Sequence, residues 1–335
     1  MPFVSTTIRD GPIDFHYYIA TPHSPSAATV EEGLPIILLL HPEYIGMDVW
    51  VMQLGSLPLR RFNLIAVEFI RHGRTTGHIS HGFTQKDGAE TVRAFLDAIG
   101  VDKCFVLGMS MGTIHGLQYA LSYPKRVDGL ILVSPLGGEE QPETAKLRFD
   151  VADSFYAGLD AETIVDEEAV MQGNLGTLTF AFNNTIDLES IRALTARFFP
   201  QVMVQWGPGN EQVLYRMTEY VTSRRAHTID ELEQLAKSDT PVLLVRGDYD
   251  HTYPMQDTVA FYQRLVEAGV KTAAEVISGA PNFLAVTHYR ELNSLTEDFV
   301  VRHWTGKPVP PAQHVVVSPI AEGMRKAGWA GQDIG

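Results

Sequence analysis

Ser110 lies at the centre of Gly108-Met109-Ser110-Met111-Gly112, a Gly-x-Ser-x-Gly sequence. A serine on a tight strand-to-helix turn needs small residues two positions before and after it, because the chain segments pass closely there. Such a turn lifts the hydroxyl clear of the sheet and aims the first amides of the next helix, including that of Met111, at an oxyanion. The motif therefore predicts nucleophilic acyl chemistry at Ser110.

The residues around this motif have the pattern of a strand followed by a helix. Cys104–Leu107 is an apolar run, and Ile114, Leu117, Ala120 and Leu121 follow at helical spacing. Similar apolar runs, typical of strands covered on both faces of a parallel sheet, occur along the chain at Leu34–Leu40, Phe62–Val67, Gly129–Val133, Pro241–Val245 and Thr272–Ile277. Together with a hairpin over residues 3–20, they predict an α/β fold with a mostly parallel, doubly wound sheet of about eight strands.

A segment of about 100 residues, far longer than a usual connection, separates two of these predicted strands. Residues 137–239 contain 18 acidic and 8 basic side chains, so this segment carries −10 of the net charge of −14. Its pattern predicts an inserted helical subdomain with an acidic exterior. The predicted helices cover approximately 144–157, 161–172, 187–199, 209–226 and 228–238, with Asp187 and Thr228 as N-caps.

Composition excludes several classes of protein. The net charge of −14 and the absence of a basic stripe argue against nucleic acid as a partner. No apolar run approaches the roughly 18 residues of a membrane span, which predicts no membrane association. The amino terminus lacks the order of a signal peptide and the single Cys104 lies in a predicted core strand, so a cytoplasmic location is expected.

From about residue 3 to residue 304 the chain resembles the α/β-hydrolase fold family, in the order strand, oxyanion loop, nucleophile motif, helical cap, acid strand and final helix. The resemblance implies a hydrolase core formed by residues 1–136 and 240–304. It also implies a cap at 137–239 and leaves a C-terminal tail at 305–335, for which the sequence suggests no function.

The resemblance also assigns roles to individual residues. The oxyanion hole of the family uses the amides that correspond to Met111 and Glu43, the latter in a loop that begins His41-Pro42 where the family usually has His-Gly. His41 is interpreted as a packed histidine that braces this loop. The family acid corresponds to Asp250 in Gly247-Asp248-Tyr249-Asp250, with Asp248 as the second choice.

The chain departs from the family at the base. Asn282, in Gly279-Ala280-Pro281-Asn282-Phe283-Leu284, occupies the position of the family histidine. An amide cannot accept the serine proton, so the relay from Ser110 through a base to Asp250 is interrupted. If Asn282 replaces the base of an otherwise intact hydrolase, we expect it to lie within hydrogen-bonding range of both Ser110 and Asp250.

Three explanations of this departure remain open. The chain is a variant of an active serine hydrolase in which the base has been replaced, or another histidine supplies the base, or hydrolysis has been lost in favour of ligand binding or a non-hydrolytic reaction. His251 and His288 are the candidates for a substitute base. Four further histidines are interpreted as loop or packed residues, namely His72, His78, His81 and His115.

A helical cap over the serine predicts a closed and largely apolar pocket. Such a pocket suits a small ester, a lactone or an activated carbon–carbon bond, so we expect a small-molecule substrate. No spacing typical of a metal site or a cofactor site occurs. The oligomeric state is open, with a homodimer as one option. Candidate pocket residues are Tyr44, Phe180, Phe182, Met203 and Trp206.

Overall fold

A computed structural model describes residues 2–160, 163–183, 188–312 and 315–330. Its strands are β1 (Phe3–Ile8), β2 (Gly11–Ala20), β3 (Ile36–Leu40), β4 (Asn63–Val67), β5 (Cys104–Met109), β6 (Val127–Val133), β7 (Val242–Gly247) and β8 (Thr272–Ile277). Its helices are α1 (Val51–Leu54), α2 (Gln85–Ala98), α3 (Met111–Ser122), α4 (Pro142–Ala157), α5 (Glu167–Phe182), α6 (Leu188–Trp206), α7 (Glu211–Thr222), α8 (Ile229–Lys237), α9 (Met255–Glu267), α10 (Leu284–Thr287), α11 (Tyr289–His303) and α12 (Ala321–Lys326).

The eight strands form one sheet in the order β1-β2-β4-β3-β5-β6-β7-β8. β1 pairs antiparallel with β2, and β2 pairs antiparallel with β4, whereas every later pair is parallel. In the central register Leu39 lies between Ala66 of β4 and Leu107 of β5. The predicted fold class is therefore confirmed, including the hairpin at the sheet edge.

The central strands are apolar because helices cover both faces of the sheet. Residues of α1, α10 and α11 belong to the apolar cluster on one face, and residues of α2, α3, α8 and α9 belong to the cluster on the other. All residues of β4 and β5 are buried. This packing fixes the carboxyl ends of the parallel strands at one edge, where the loops after β3, β5, β6 and β7 meet.

Between β6 and β7 the described residues form five helices, α4 to α8. Thr228 caps α8 in a capping box with Glu231, as the sequence predicts, whereas Asp187 lies outside the described residues. The predicted end of a helix at residue 199 is wrong, because α6 continues through Pro200 to Trp206. Packing of Val202 and Trp206 against the core holds this last part of the helix despite the proline.

The tail connects the core to the cap. The guanidinium of Arg60 donates to the carbonyl of Val317 at 2.9 Å, and that of Arg61 donates to the carbonyl of Pro310 at 2.7 Å. Further along, α12 packs against α6, with Met324 and Trp329 buried. No sequence pattern predicted this docking, because its contacts join segments that are far apart in the chain.

Within the described ranges, none of the helices combines the length and apolar character that a membrane span requires. The described part of the chain also contains no group of three or more His, Cys, Asp or Glu side chains arranged to hold a metal ion.

Candidate active site

Ser110 has the backbone conformation of a strained turn between β5 and α3. Its φ of 51° and ψ of −116° lie in a region that L-residues rarely adopt. A Cβ at Gly112 would lie 2.1 Å from the carbonyl oxygen of Leu40, and one at Gly108 would lie 2.3 Å from that of Gly112. Both flanking glycines are therefore required by close backbone approach, as the motif predicts.

Hydrogen bonds fix this turn on both sides. The amide of Ser110 donates to the carbonyl of Val133 at 3.0 Å. The carbonyl of Ser110 accepts from the amide of Thr113 at 2.8 Å and from its hydroxyl at 2.6 Å. Ser110 is only 1% exposed, and its Oγ has no hydrogen-bond partner among the described residues. Met111 is the first residue of α3, where amides have no acceptor within the helix.

Asp250 lies in the loop after β7 and is held by three hydrogen bonds. Its Oδ1 accepts from the amides of Thr252 at 2.9 Å and Tyr253 at 3.2 Å, and its Oδ2 accepts from Nδ2 of Asn282 at 2.8 Å. Burial raises the pKa of the Asp250 carboxyl above its usual value, and the hydrogen bond from Asn282 opposes that rise. The structure thus brings Asp250 and Asn282 together, although they are 32 residues apart.

Asn282 is completely buried, and its backbone is fixed as well as its side chain. The hydroxyl of Ser134 donates to the carbonyl of Asn282 at 2.5 Å. Ser134 itself has a φ of 48°, so a second strained residue at a strand end supports the site. The expected hydrogen bond to Ser110 is not formed among the described residues, where Oδ1 of Asn282 has no partner. Among the described residues, the side-chain amide of Asn282 therefore bonds only to Asp250.

The candidate substitute bases do not reach the serine. His251 is exposed and packs on the ring of Tyr249, with 4.3 Å between ring centroids. His288 lies at the start of α11, where its Nδ1 is 2.9 Å from the hydroxyl of Thr287. Oγ of Ser110 has no hydrogen-bond partner among the described residues, so neither histidine is bonded to it. The structure does not support a base from either histidine.

Asp248, the second choice for the acid, has a different role. Its Oδ1 accepts from the amide of Gly279 at 2.6 Å, and its Oδ2 accepts from the hydroxyl of Ser278 at 3.1 Å. These bonds hold the turn after β8, three residues before Asn282. Asp248 therefore supports the segment that carries Asn282, while Asp250 contacts the Asn282 side chain directly.

His41 braces the loop after β3. Its Nδ1 donates to the carbonyl of Pro42 at 2.7 Å, and its Nε2 accepts from the amide of Phe69 at 2.9 Å. Burial lowers the pKa of His41 to about 4, so the ring is neutral at physiological pH. His115 is likewise buried, with its Nδ1 2.7 Å from the hydroxyl of Tyr220. His78 and His81 are exposed, and neither is hydrogen-bonded to Oγ of Ser110 among the described residues.

We expect His72→Phe to weaken the dependence of stability on acid pH. Burial, then the proximity of His41, holds the pKa of His72 well below 6.5. Below pH 6.5 the unfolded chain therefore binds more protons than the folded chain. The contribution of the neutral ring to the free energy of unfolding is full above that pH and is lost as the pH falls. Between pH 7.5 and pH 5 the ring accounts for a loss of about 2 kcal/mol in the free energy of unfolding.

Urea unfolding of the variant at both pH values measures this difference. His78→Phe replaces an exposed imidazole of the same loop and serves as the control. An unchanged difference between the two pH values in His72→Phe would contradict the assignment.

The side chain of Glu43 reveals contacts that sequence analysis missed. It forms an ion pair with Arg148 of α4, and both side chains are 1% exposed. Arg148 also donates through Nη2 to the hydroxyl of Tyr253 at 2.7 Å. Burial raises the pKa of Glu43 to about 7, against the opposing effect of Arg148. The predicted oxyanion loop is thus tied to the cap and to the acid loop.

A second ion pair joins the same loop to another cap helix. Nε and Nη2 of Arg197 on α6 donate to the two carboxylate oxygens of Asp48, each at 3.0 Å. Nearby, the indole of Trp206 donates to the carbonyl of Arg71 at 2.8 Å, and Arg71 donates to the carbonyl of Gln205 at 2.7 Å. Helices α4 and α6 therefore contact the loops after β3 and β4, at the carboxyl ends of the strands.

The predicted pocket residues lie at this interface between core and cap. The ring of Tyr44 packs edge-on against Trp206, and both line a small cavity between the loop after β3 and α6. Phe182 packs edge-on against Phe283, next to Asn282. The guanidinium of Arg148 lies 4.3 Å from the ring centroid of Phe180, and the half-buried Met203 packs on the same core. Buried charge therefore lies beside one of these predicted pocket residues, Phe180.

Comparison with known proteins agrees with this architecture. The family model of the alpha/beta hydrolase fold matches residues 35–289. The chain therefore belongs to the α/β-hydrolase fold family. This match includes the turn at Ser110, the acid loop at Asp250 and the position of Asn282.

Matches to individual relatives cover a smaller part of the chain than the family model does. A 1-acylglycerol-3-phosphate O-acyltransferase, ABHD5 of Sus scrofa, is 31% identical over 120 residues, which are 35% of this chain and 34% of that protein. The chain spans about a third of the length of the curated relatives it matches.

Two solved structures share the fold. One is a thermophilic esterase from Thermogutta terrifontis, with a TM-score of 0.67, 18% identity and coverage of 91% of this chain and 99% of that chain. The other is the enol-lactonase from Burkholderia xenovorans LB400, with a TM-score of 0.64, 15% identity and coverage of 89% and 98%.

Proposed function

We propose that this chain is a serine hydrolase of small esters or lactones that keeps the nucleophile and the acid but has lost its base. The observation that carries the proposal is the hydrogen bond of 2.8 Å between Nδ2 of Asn282 and Oδ2 of Asp250. A histidine at this position would use one ring nitrogen for the same contact and present the other to Ser110. This contact supports the proposal that the frame of a triad is retained around a side chain that cannot accept a proton.

The chemistry of the intact site follows from the remaining groups. The Ser110 hydroxyl attacks the substrate carbonyl, and the amides of Met111 and Glu43 donate to the oxyanion. Collapse of the tetrahedral intermediate expels the alcohol and leaves an acyl group on Ser110, which water then releases as the acid. Both halves of the reaction require a base, first for the serine proton and then for a water proton. In this chain neither step has one, because Asn282 remains neutral and is bonded to Asp250.

The names of the relatives agree with acyl chemistry. An esterase and an enol-lactonase share the fold, and the matched part of ABHD5 comes from a protein named as an acyltransferase. The closed cap favours a small and largely apolar substrate, and an activated carbon–carbon bond remains within the proposal. A cytoplasmic location is also proposed, supported by the single, buried thiol of Cys104.

The test is hydrolysis of short ethyl esters and small lactones by the unaltered chain and by Asn282→His. The proposal expects negligible turnover in the first and clear turnover in the second. A pH-stat follows the acid that is released, and Ser110→Ala combined with Asn282→His shows whether the activity depends on the nucleophile. Activity that survives this serine substitution would refute the proposed role of Ser110.

The second candidate is a ligand-binding protein without hydrolysis. It is favoured by the burial of Ser110 and by the lack of any partner for its hydroxyl among the described residues. In that case Asn282→His binds the same small molecules but remains inert. The two candidates are thus separated by one substitution.

A further inference from the structure

The sheet ends at β8, an edge strand that is exposed on both of its faces. Among the described residues β8 pairs only with β7, and its residues 273–276 are all exposed. Val276 has 53% of its surface exposed. An edge strand offers a row of unpaired backbone donors and acceptors, and natural proteins usually cover or interrupt such a row. β8 contains no proline that would interrupt it.

The free edge of β8 carries the backbone groups of alternate residues. The carbonyls of Lys271 and Ile277 accept from the amides of Val242 and Asp248, at 2.9 Å and 3.2 Å. Successive residues of a strand direct their backbone groups to opposite sides, so the residues between these two alternate in direction. Three residues therefore direct their amides and carbonyls away from β7, namely Thr272, Ala274 and Val276. No hydrogen bond from another described segment reaches these groups.

A groove of about 430 Å³ lies beside this edge, between β8 and α11. Its apolar lining includes Ala273 of β8 and Leu295 and Phe299 of α11. Phe299 is buried and Leu295 is half-buried, so the floor of the groove is continuous with the core. The groove therefore offers apolar surface next to a strand that has unused hydrogen-bonding groups.

The charges in this groove differ between its two ends. Burial, then the charges of Arg302 and Lys271, lowers the pKa of His303, so these three residues lie together where β8 begins and α11 ends. Glu275 lies four residues further along the chain in β8, and Asp298 lies one turn earlier in α11, and both line the groove. One end of the groove is therefore basic and the other is acidic.

We propose that β8 pairs antiparallel with β8 of a second copy of this chain, in a twofold dimer that joins the two eight-stranded sheets. Antiparallel pairing places the basic end of each groove against the acidic end of the other. When Ala273 lies opposite Ala273 of the second copy, Lys271 lies opposite Glu275 of that copy, in a closely spaced pair. In the same register the free backbone groups of Thr272 and Ala274 bond to each other across the interface.

Charge also explains why the match must be specific. Each copy carries a net charge of −14, so contact between copies is repulsive unless opposite charges meet locally. Nζ of Lys271 lies 2.6 Å from Asp239, but the two side chains are 68% and 72% exposed. A pair so exposed contributes little, so Lys271 remains available to a second carboxylate.

Sedimentation velocity of the unaltered chain measures the association. An interface made by one short strand and the groove beside it is expected to dissociate at about micromolar concentrations. The measurement covers protein concentrations from about 1 to 100 μM, at roughly 0.15 M salt to screen the repulsion between the net charges. We expect the sedimentation coefficient to rise from that of a monomer to that of a dimer across this range.

Two kinds of variant locate the interface on β8. Ala274→Pro removes an amide that points away from β7, so it spares the sheet and should leave the chain monomeric at about 100 μM. Glu275→Lys places like charges opposite each other twice and should raise the dissociation constant by about tenfold or more. Adding Lys271→Glu to that variant exchanges the charges and should recover most of the lost affinity. Glu32→Lys makes the same change of net charge at an exposed position in another loop and should have no effect.

Each outcome decides the proposal. A monomer at every concentration overturns it, and so does a dimer that survives both Ala274→Pro and Glu275→Lys, because that dimer uses another surface. Failure of the exchanged charges to recover affinity overturns the proposed register. Glu275 is exposed, so its variant decides the question even if Ala274→Pro does not fold, which circular dichroism reports. Hydrolysis is not measured, so the result is independent of the proposed function.

Discussion

Asn282→His is expected to raise kcat for a short ester or lactone by about 10³- to 10⁴-fold over the unaltered chain. The substitution introduces a ring that can accept the Ser110 proton, while Asp250 stays in place through the amides of Thr252 and Tyr253. KM should change little, because the substituted group acts on the proton more than on the bound substrate. Steady-state kinetics by pH-stat measures both constants.

Asn282→Gln is the matched control, because it changes the size of the side chain without adding a base. It should remain as slow as the unaltered chain. The activity of the histidine variant should also rise with pH through about 6.5, since only the neutral imidazole accepts a proton. If Asn282→His binds small esters and turns over none of them, the chain is a binding protein and the hydrolase proposal fails.

Arg148→Met is expected to lower the free energy of unfolding by about 3–5 kcal/mol. The substitution preserves much of the side-chain volume but leaves the buried carboxylates of Glu43 and Glu140 without their shared partner. Buried charges that lose a partner cost far more than exposed ones, because water cannot solvate them. Urea unfolding at pH 8, above the pKa of about 7 of the Glu43 carboxyl, measures the loss.

Arg197→Met provides the comparison. It also breaks an ion pair between the cap and the loop after β3, but the Arg197 side chain is 22% exposed. A pair with this access to water should contribute about 1 kcal/mol or less. Similar losses of unfolding free energy in the two variants would show that burial does not distinguish these pairs. They would contradict the larger contribution expected of the Arg148 ion pairs.

Sequence patterns predicted those parts of the fold that depend on contacts between residues close together in the chain. The flanking glycines of Ser110 reflect backbone contacts within a few residues and one neighbouring strand, so the motif alone indicates the turn. The apolar runs predict strands buried on both faces. Asp250 and Asn282 were found only through the resemblance, because their contact joins two loops.

Contacts between distant segments could not be predicted. Arg148 and Glu43 are 105 residues apart, and nothing in the sequence around either residue indicates an ion pair. The support from Ser134 to Asn282 spans 148 residues and depends on a strained φ that sequence patterns do not show. The continuation of α6 beyond Pro200 likewise depends on burial of Trp206 in tertiary structure.

The burial of Ser110 beneath the cap affects how fast any ligand can arrive. Only 1% of this residue is exposed, and ion pairs from two cap helices hold the closed arrangement. We expect a small molecule to reach the serine only after these contacts open, so that their opening, and not diffusion, sets the association rate. The observed rate of binding should level off at high ligand concentration, at the rate constant with which the cap opens.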